Sequence, residues 1–235
     1  MTKWGCLVAI ALLVAGCGGG GGGGPVAPGL PPPVDEPGLS PLLSDLLLSD
    51  LLFSGSGYTD ERVNVECAAD RSSCRYTFRG ISRSFSPDPN PAGTVDPTNL
   101  GDWAHMAPVV VKVAAEGLEG RMALISGTSA TSLPVALGSA TWEGSMVALD
   151  SNHELVRGGA TLTIADLATP AVDVALTPDG HDAMIWDALP VTRGRFSARA
   201  GAGNYLRGAF YGPEAQEAGG VFERNQLLGA FGATR

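Results

Sequence analysis

From residue 109 onward, Gly, Pro, Asp and Asn cut the chain into short runs in which apolar and polar residues alternate. This constrains the fold more than any other feature. The runs are 109–114, 121–126, 140–149, 159–166, 171–177, 183–187, 193–200, 204–212, 218–223 and 227–233. A period of two is the signature of a half-buried strand, and turn signals at regular short spacing describe an all-β barrel or sandwich. Leu206, Gly208, Phe210 and Gly212 fall on one face of their run, as do Leu227, Gly229 and Phe231 on theirs. Large side chains alternating with glycine let rings lie over bare backbone and let strands bend, which suits a barrel. Closing the sheet also removes edges that invite aggregation.

Upstream the texture differs. Residues 1–16 combine Lys3, an apolar run over 7–14 that is too short to span a bilayer, and the small residues Ala15 and Gly16. They read as a bacterial lipoprotein signal peptide, with Cys17 as the residue to be acylated. Residues 17–40 read as a tether: a run of glycines, then a stiffer segment centred on Pro31-Pro32-Pro33. Residues 41–53 are leucine-dense, with Ser40 as N-cap, Pro41 at the first helical position and Gly55 as a stop, so a short helix is predicted. Its Ser-Asp pairs spread around a helical cylinder, so such a helix has to be buried.

Residues 62–79 read as a stapled hairpin. Pairing Cys67 with Cys74 in antiparallel register sets Val65 opposite Tyr76 and Val63 opposite Phe78, which gives one apolar face carrying a disulfide. An exported protein meets an oxidising compartment, where such a bond persists. Two thiols without a nearby histidine are too few ligands for zinc. The expected organisation is therefore signal peptide 1–16, acylated Cys and tether 17–40, helix and Cys67–Cys74 hairpin module 41–80, connecting segment 81–119, and barrel 120–235.

The last strands resemble a known family. The segments Gly208-Ala209-Phe210-Tyr211-Gly212-Pro213, Glu217-Ala218-Gly219-Gly220-Val221-Phe222 and Gly229-Ala230-Phe231-Gly232-Ala233 look like the final strands of the transferrin-binding protein B type barrel. The related factor H-binding protein-like surface lipoproteins carry similar barrels. The resemblance extends less specifically to Ala140-Thr141-Trp142-Glu143-Gly144 and Gly159-Ala160-Thr161-Leu162. It implies an all-β fold with an eight-stranded antiparallel barrel, anchored by lipid at the outer membrane, on its periplasmic face or at the cell surface. It also implies a protein or haem/iron-related ligand. The matched residues are scaffold and name no ligand-binding side chain.

No catalytic constellation is legible. His105, His153 and His181 lack zinc-like spacing to another ligand. His105-Met106 and His181 with Met184 hold residue types that serve as haem axial ligands, although loop histidines and core methionines are the commoner use of these residues. Ser126-Gly127-Thr128 lacks the flanking glycines of a nucleophile elbow. The expectation is a non-enzymatic chain with no cofactor, haem being the one open alternative. A formal net charge of −9 disfavours nucleic acid as a partner and leaves the lipid anchor to hold the chain at a membrane. Two functions stay open: a ligand-binding envelope lipoprotein, and a structural or accessory envelope lipoprotein without a soluble ligand. Surface clustering of Trp103, Phe85 and Trp186 would favour the first. Cys17→Ser is expected to abolish lipid labelling and move the chain to the soluble fraction; a Cys17→Ser protein that stays with membranes would refute the anchor.

Overall fold

The computed structural model describes residues 45–55, 58–68, 73–78, 80–85, 95–100, 103–115, 118–130, 133 and 138–235. The signal, Cys17, the tether and the predicted capping residues Ser40 and Pro41 lie outside them. Every element among the described residues is a strand. In chain order these are β1 (Asp45–Leu48), β2 (Leu51–Gly55), β3 (Tyr58–Val63), β4 (Val65–Cys67), β5 (Cys74–Phe78), β6 (Ile81–Phe85), β7 (Val95–Asn99), β8 (Met106–Ala115) and β9 (Leu118–Gly127). There follow β10 (Ala140–Leu149), β11 (Leu155–Ile164), β12 (Ala171–Pro178), β13 (Met184–Pro190), β14 (Arg195–Arg199), β15 (Tyr205–Tyr211), β16 (Glu217–Arg224) and β17 (Leu227–Thr234).

The second group forms the expected eight-stranded antiparallel barrel, in the order β13-β12-β11-β10-β17-β16-β15-β14. Two consecutive meanders are joined where β10 pairs with β17. The barrel is nearly closed: β13 and β14 face each other across a seam without a hydrogen-bonded ladder. Arg224 partly bridges it, donating to the Ile185 carbonyl at 2.7 Å and lying 4.9 Å over the Trp186 ring.

Leu206, Phe210, Leu227 and Phe231 all point into the barrel, with Phe222, Trp142 and Trp186 beside them. The Trp142 and Phe210 rings are 4.8 Å apart, and the Trp142 Nε1–H donates to the Ala215 carbonyl at 2.8 Å. The alternation of glycine with large residues has the predicted use. At Gly208 an added Cβ would run into the Phe196 ring, so the ring lies on bare backbone.

The barrel begins at Ala140. The run at 121–126, grouped with the barrel on sequence, lies in β9 of a separate six-stranded sheet ordered β3-β2-β9-β8-β7, with β1 also on β9. One face of this sheet packs on the outside of β10 and β15–β17, where Val110, Ala123 and Ile125 meet Val147, Val221 and Ala230. Gly219 is essential to the approach: a Cβ there would sit 2.7 Å from the Ile125 side chain and 2.8 Å from the Met106 sulfur. The opposite face carries Leu51, Val111, Val113 and Leu124, which pack on Tyr76 and Phe78 of a three-stranded sheet ordered β4-β5-β6.

The described part of the helix predicted over 41–53 is not helical: it forms β1 and most of β2. Both lie against β9, and Leu48 opposes Leu124 while Leu52 opposes Arg121, so the first strand carries one extra residue. Ser49 occupies this bulge. Its N–H donates to the Ala123 carbonyl at 2.8 Å and its Oγ accepts the Ala123 N–H at 2.7 Å, so the side chain replaces a ladder bond. Leu51 and Leu52 are both fully buried, in opposite layers. A strand covered on both faces reads as a continuous apolar run, which periodicity cannot tell from a buried helix.

The hairpin register is confirmed at Cys67–Cys74 and Val65–Tyr76. Val63 departs from it: it pairs with Leu51 in the larger sheet, and Phe78 pairs with Ile81. The segment 81–119, read as connection, contributes β6, β7, β8 and the start of β9. Gly208→Ala is expected to destabilise the fold by about 1–3 kcal/mol, because Phe196 must leave its place in a packed interior. Urea unfolding checks this, and Phe196→Leu in the same chain should recover part of the loss.

Candidate functional site

The outer face of the three-stranded sheet carries open concave surface among the described residues. Alternation along β5 sends Cys74, Tyr76 and Phe78 inward and leaves Arg75 and Thr77 exposed. Register places Glu66 and Ser84 on either side of Arg75, and Ser82 beside Thr77, with their oxygens 2.8 Å apart. The Cys67–Cys74 disulfide, with Cα atoms 3.9 Å apart, staples the two strands at the end of this face.

Two shallow depressions open here. One, of about 320 Å³, is lined by Arg62, Asn64, Glu66, Arg75 and Thr77 among others. The other, of about 280 Å³, is lined by Glu66, Cys67, Ser73, Arg75 and Ser84 among others. Glu66 and Arg75 belong to both and approach to 3.8 Å, with side chains 79% and 62% exposed. So open an ion pair adds little to stability, which leaves both charges available to a ligand.

Beneath this face, Arg62 of β3 locks the layers together. Its guanidinium donates to both carboxylate oxygens of Glu223 on β16, at 2.8 and 2.6 Å, and to Asp50 at 2.8 Å. The hydrogen bond to Glu223 raises the Arg62 pKa further above its already high value. The Asp50 N–H donates to the Tyr205 hydroxyl at 3.0 Å, and burial pushes that hydroxyl up to about 12. At the other end of β16, the Glu217 carboxylate accepts the N–H groups of Ala104 and His105 at 2.8 and 3.0 Å. Arg121 of β9, buried at the same interface, donates to the Leu149 and Gln226 carbonyls at 3.2 and 3.0 Å. These anchors carried no sequence signal: Arg62 and Glu223 are 161 residues apart, and no local pattern couples them.

The residues singled out on sequence fall in different places. Cys67 and Cys74 are joined as expected, and Cys17 lies outside the described residues. Trp186 is inside the barrel, Trp103 packs against the apolar layer between barrel and sheet, and the Phe85 side chain lies outside the description. They do not form an exposed aromatic cluster. The histidines are dispersed: His105 is half-buried beside Glu217, His153 is buried in the turn after β10, and His181 is exposed before β13. Met106 and Met184 are buried in separate cores. Among the described residues no group of three His, Cys, Asp or Glu side chains is arranged to hold a metal ion.

Residues 190–235 match the family model described as the C-lobe and N-lobe beta barrels of Tf-binding protein B. The match covers β14–β17 and includes the three glycine-aromatic segments. Over β14–β17 the barrel of this chain is thus similar to the barrels of Tf-binding protein B. Among solved structures, similarity is found to a surface lipoprotein at 17% identity, covering 59% of this chain and 80% of that one, with a TM-score of 0.42. Isotype 1 transferrin-binding protein B from serogroup B Neisseria meningitidis is 16% identical, over 80% of this chain and 42% of that one, with a TM-score of 0.47. A double mutant of transferrin-binding protein B from Haemophilus parasuis Hp5 is 13% identical, over 84% and 50%, with a TM-score of 0.47. The chain thus spans half or less of these two transferrin-binding proteins. No curated protein matches.

The Tyr205 hydroxyl makes stability depend on alkaline pH. Its pKa is raised on folding from 10.0 to about 12, so its contribution is fully present below pH 10 and is lost as pH rises toward 12. Urea unfolding of the wild type should show this decline, and Tyr205→Phe should decline less steeply. Parallel losses in the two proteins would place the hydroxyl in solvent.

Proposed function

We propose that this chain is a lipid-anchored bacterial envelope protein that binds a protein ligand through the outer face of its disulfide-stapled sheet, the barrel serving as scaffold. The observation that carries this reading is the contrast between the two surfaces. The barrel interior is filled by its own Trp, Phe, Leu and Val side chains, as an eight-stranded barrel can be. The stapled sheet instead presents Glu66 and Arg75 at the shared border of two open depressions. A rigid, polar, shallow surface fits a folded partner better than a small apolar one, because small ligands favour enclosed apolar pockets. The family name attached to residues 190–235 is that of a protein that binds transferrin, which supports a protein partner as the class. Cys17, acylated, would hold the chain at the outer membrane, on its periplasmic face or at the cell surface, with residues 18–40 as reach.

A second reading, an accessory envelope lipoprotein without a soluble ligand, draws on one observation: Trp103 and Trp186 are packed away, so neither supplies an exposed anchor. Affinity capture from host serum with the full chain separates the two. The site is best tested by substitution, since deleting 41–80 would remove β1–β3 and dismantle the six-stranded sheet. Arg75→Glu is expected to weaken any captured partner about tenfold or more and to leave the melting temperature unchanged. Capture unaffected by Arg75→Glu and Glu66→Arg would move the site off this face. A haem Soret shift on titration would assign a haem ligand instead, and failure to capture any partner would favour the accessory reading.

A further inference from the structure

The barrel surface is divided by charge along its seam. Residues 158–192, which hold most of β11 and all of β12 and β13, contain Asp166, Asp173, Asp179, Asp182 and Asp187 and no Lys or Arg. Residues 193–213, which hold β14 and β15, contain Arg193, Arg195, Arg199 and Arg207 and no Asp or Glu. β13 and β14 are the two ends of the rolled sheet, so the acidic and basic stretches meet there.

Alternation decides what each lip presents. Met184, Trp186 and Leu189 turn inward, while Ile185 and Asp187 are exposed; Phe196 turns inward, while Arg195, Ser197 and Arg199 are exposed. Arg193 is exposed in the turn that joins the lips, and Asp182 is exposed just before β13. Ile185, at 52%, is the most exposed large apolar side chain among the described residues, and it lies on the acidic lip. Four charged groups here are tied to the chain's own backbone: Asp166 accepts the Ala168 N–H at 2.9 Å, Asp173 accepts the Ala188 N–H at 2.6 Å, Arg207 donates to the Leu48 carbonyl at 3.1 Å, and Arg224 donates to the Ile185 carbonyl.

A partner of one sign would match one lip and be repelled by the other. A second copy matches both. A two-fold axis lying along the seam carries the basic row of each copy onto the acidic row of the other, so every favourable pair occurs twice. We propose that this chain self-associates through the seam, with Arg199 facing Asp187 of the second copy and Ile185 covered by the facing β14. The contact is polar and therefore weakens with salt.

The test uses the full chain carrying Cys17→Ser and sedimentation equilibrium at about 0.01 M and 1 M salt, where screening lengths are long and short. A dimer at low salt that dissociates at high salt is expected. Arg199→Asp or Asp187→Arg alone should each weaken it about tenfold or more, because like charges then oppose each other twice. The double variant should regain the dimer, and mixing the two single variants should produce a heterodimer. Circular dichroism identifies any variant that has failed to fold; the wild-type salt response and the mixing experiment then decide the matter. A wild type that stays monomeric at low salt and millimolar protein would overturn the proposal. So would a dimer indifferent to both reversals, or a double variant no better than the singles. A monomer that instead binds anionic vesicles through Arg199 would assign the basic row to a membrane and equally overturn it.

Discussion

The apolar seal between the six-stranded sheet and the outside of β10 and β15–β17 is the interaction on which the rest of the structure depends. A barrel ordinarily shows solvent an outer face of alternating polar residues. Here β16 and β17 are buried on both faces, and the outer positions of β10 and β15–β17 include Val147, Ala209, Val221 and Ala230. Glycine at 219 lets the second sheet come close enough to exclude water. Burial of this kind is favourable in proportion to the apolar area removed from water, and it has no direction of its own. Orientation comes from the rim, where Arg62 with Glu223, Glu217 with two backbone N–H groups, and Arg121 with two carbonyls lie around the seal. Buried charges are costly unless they are paired and hydrogen-bonded, so each of these groups favours the one docking that satisfies it.

This arrangement links scaffold and surface. The stapled sheet touches the barrel through the six-stranded sheet, with Arg62 reaching from the border of the larger depression to Glu223. The depression therefore has one wall anchored to the barrel and another formed by the hairpin. Rigid support of this sort lowers the cost of ordering a binding surface when a partner arrives. It also explains why the similarity to a known barrel falls on 190–235 and not on the proposed site. Packing constraints on glycine and aromatic positions are shared by any chain with this barrel, whereas exposed Glu66 and Arg75 are under no such constraint.

The amino-acid sequence by itself determined the class of the fold, the barrel and the disulfide. Period-two alternation in β11–β14 has one face to bury, so each of those strands could be read locally, and Gly208 under Phe196 shows the glycine positions at work. The Cys67–Cys74 register was legible because the cysteines lie only seven positions apart and the neighbouring pair Val65–Tyr76 agrees with it. Only the tertiary structure decided the rest. Residues 45–55 are strands because both their faces are covered, and a doubly covered strand loses the alternation that would mark it. Strand β9 is buried on both faces and pairs with β8, β1 and β2, not with the barrel, because the partner of a strand is set by packing elsewhere in the chain. The Arg62 anchor and the charged seam join residues distant in sequence, and interactions of that range exist only once the layers have docked.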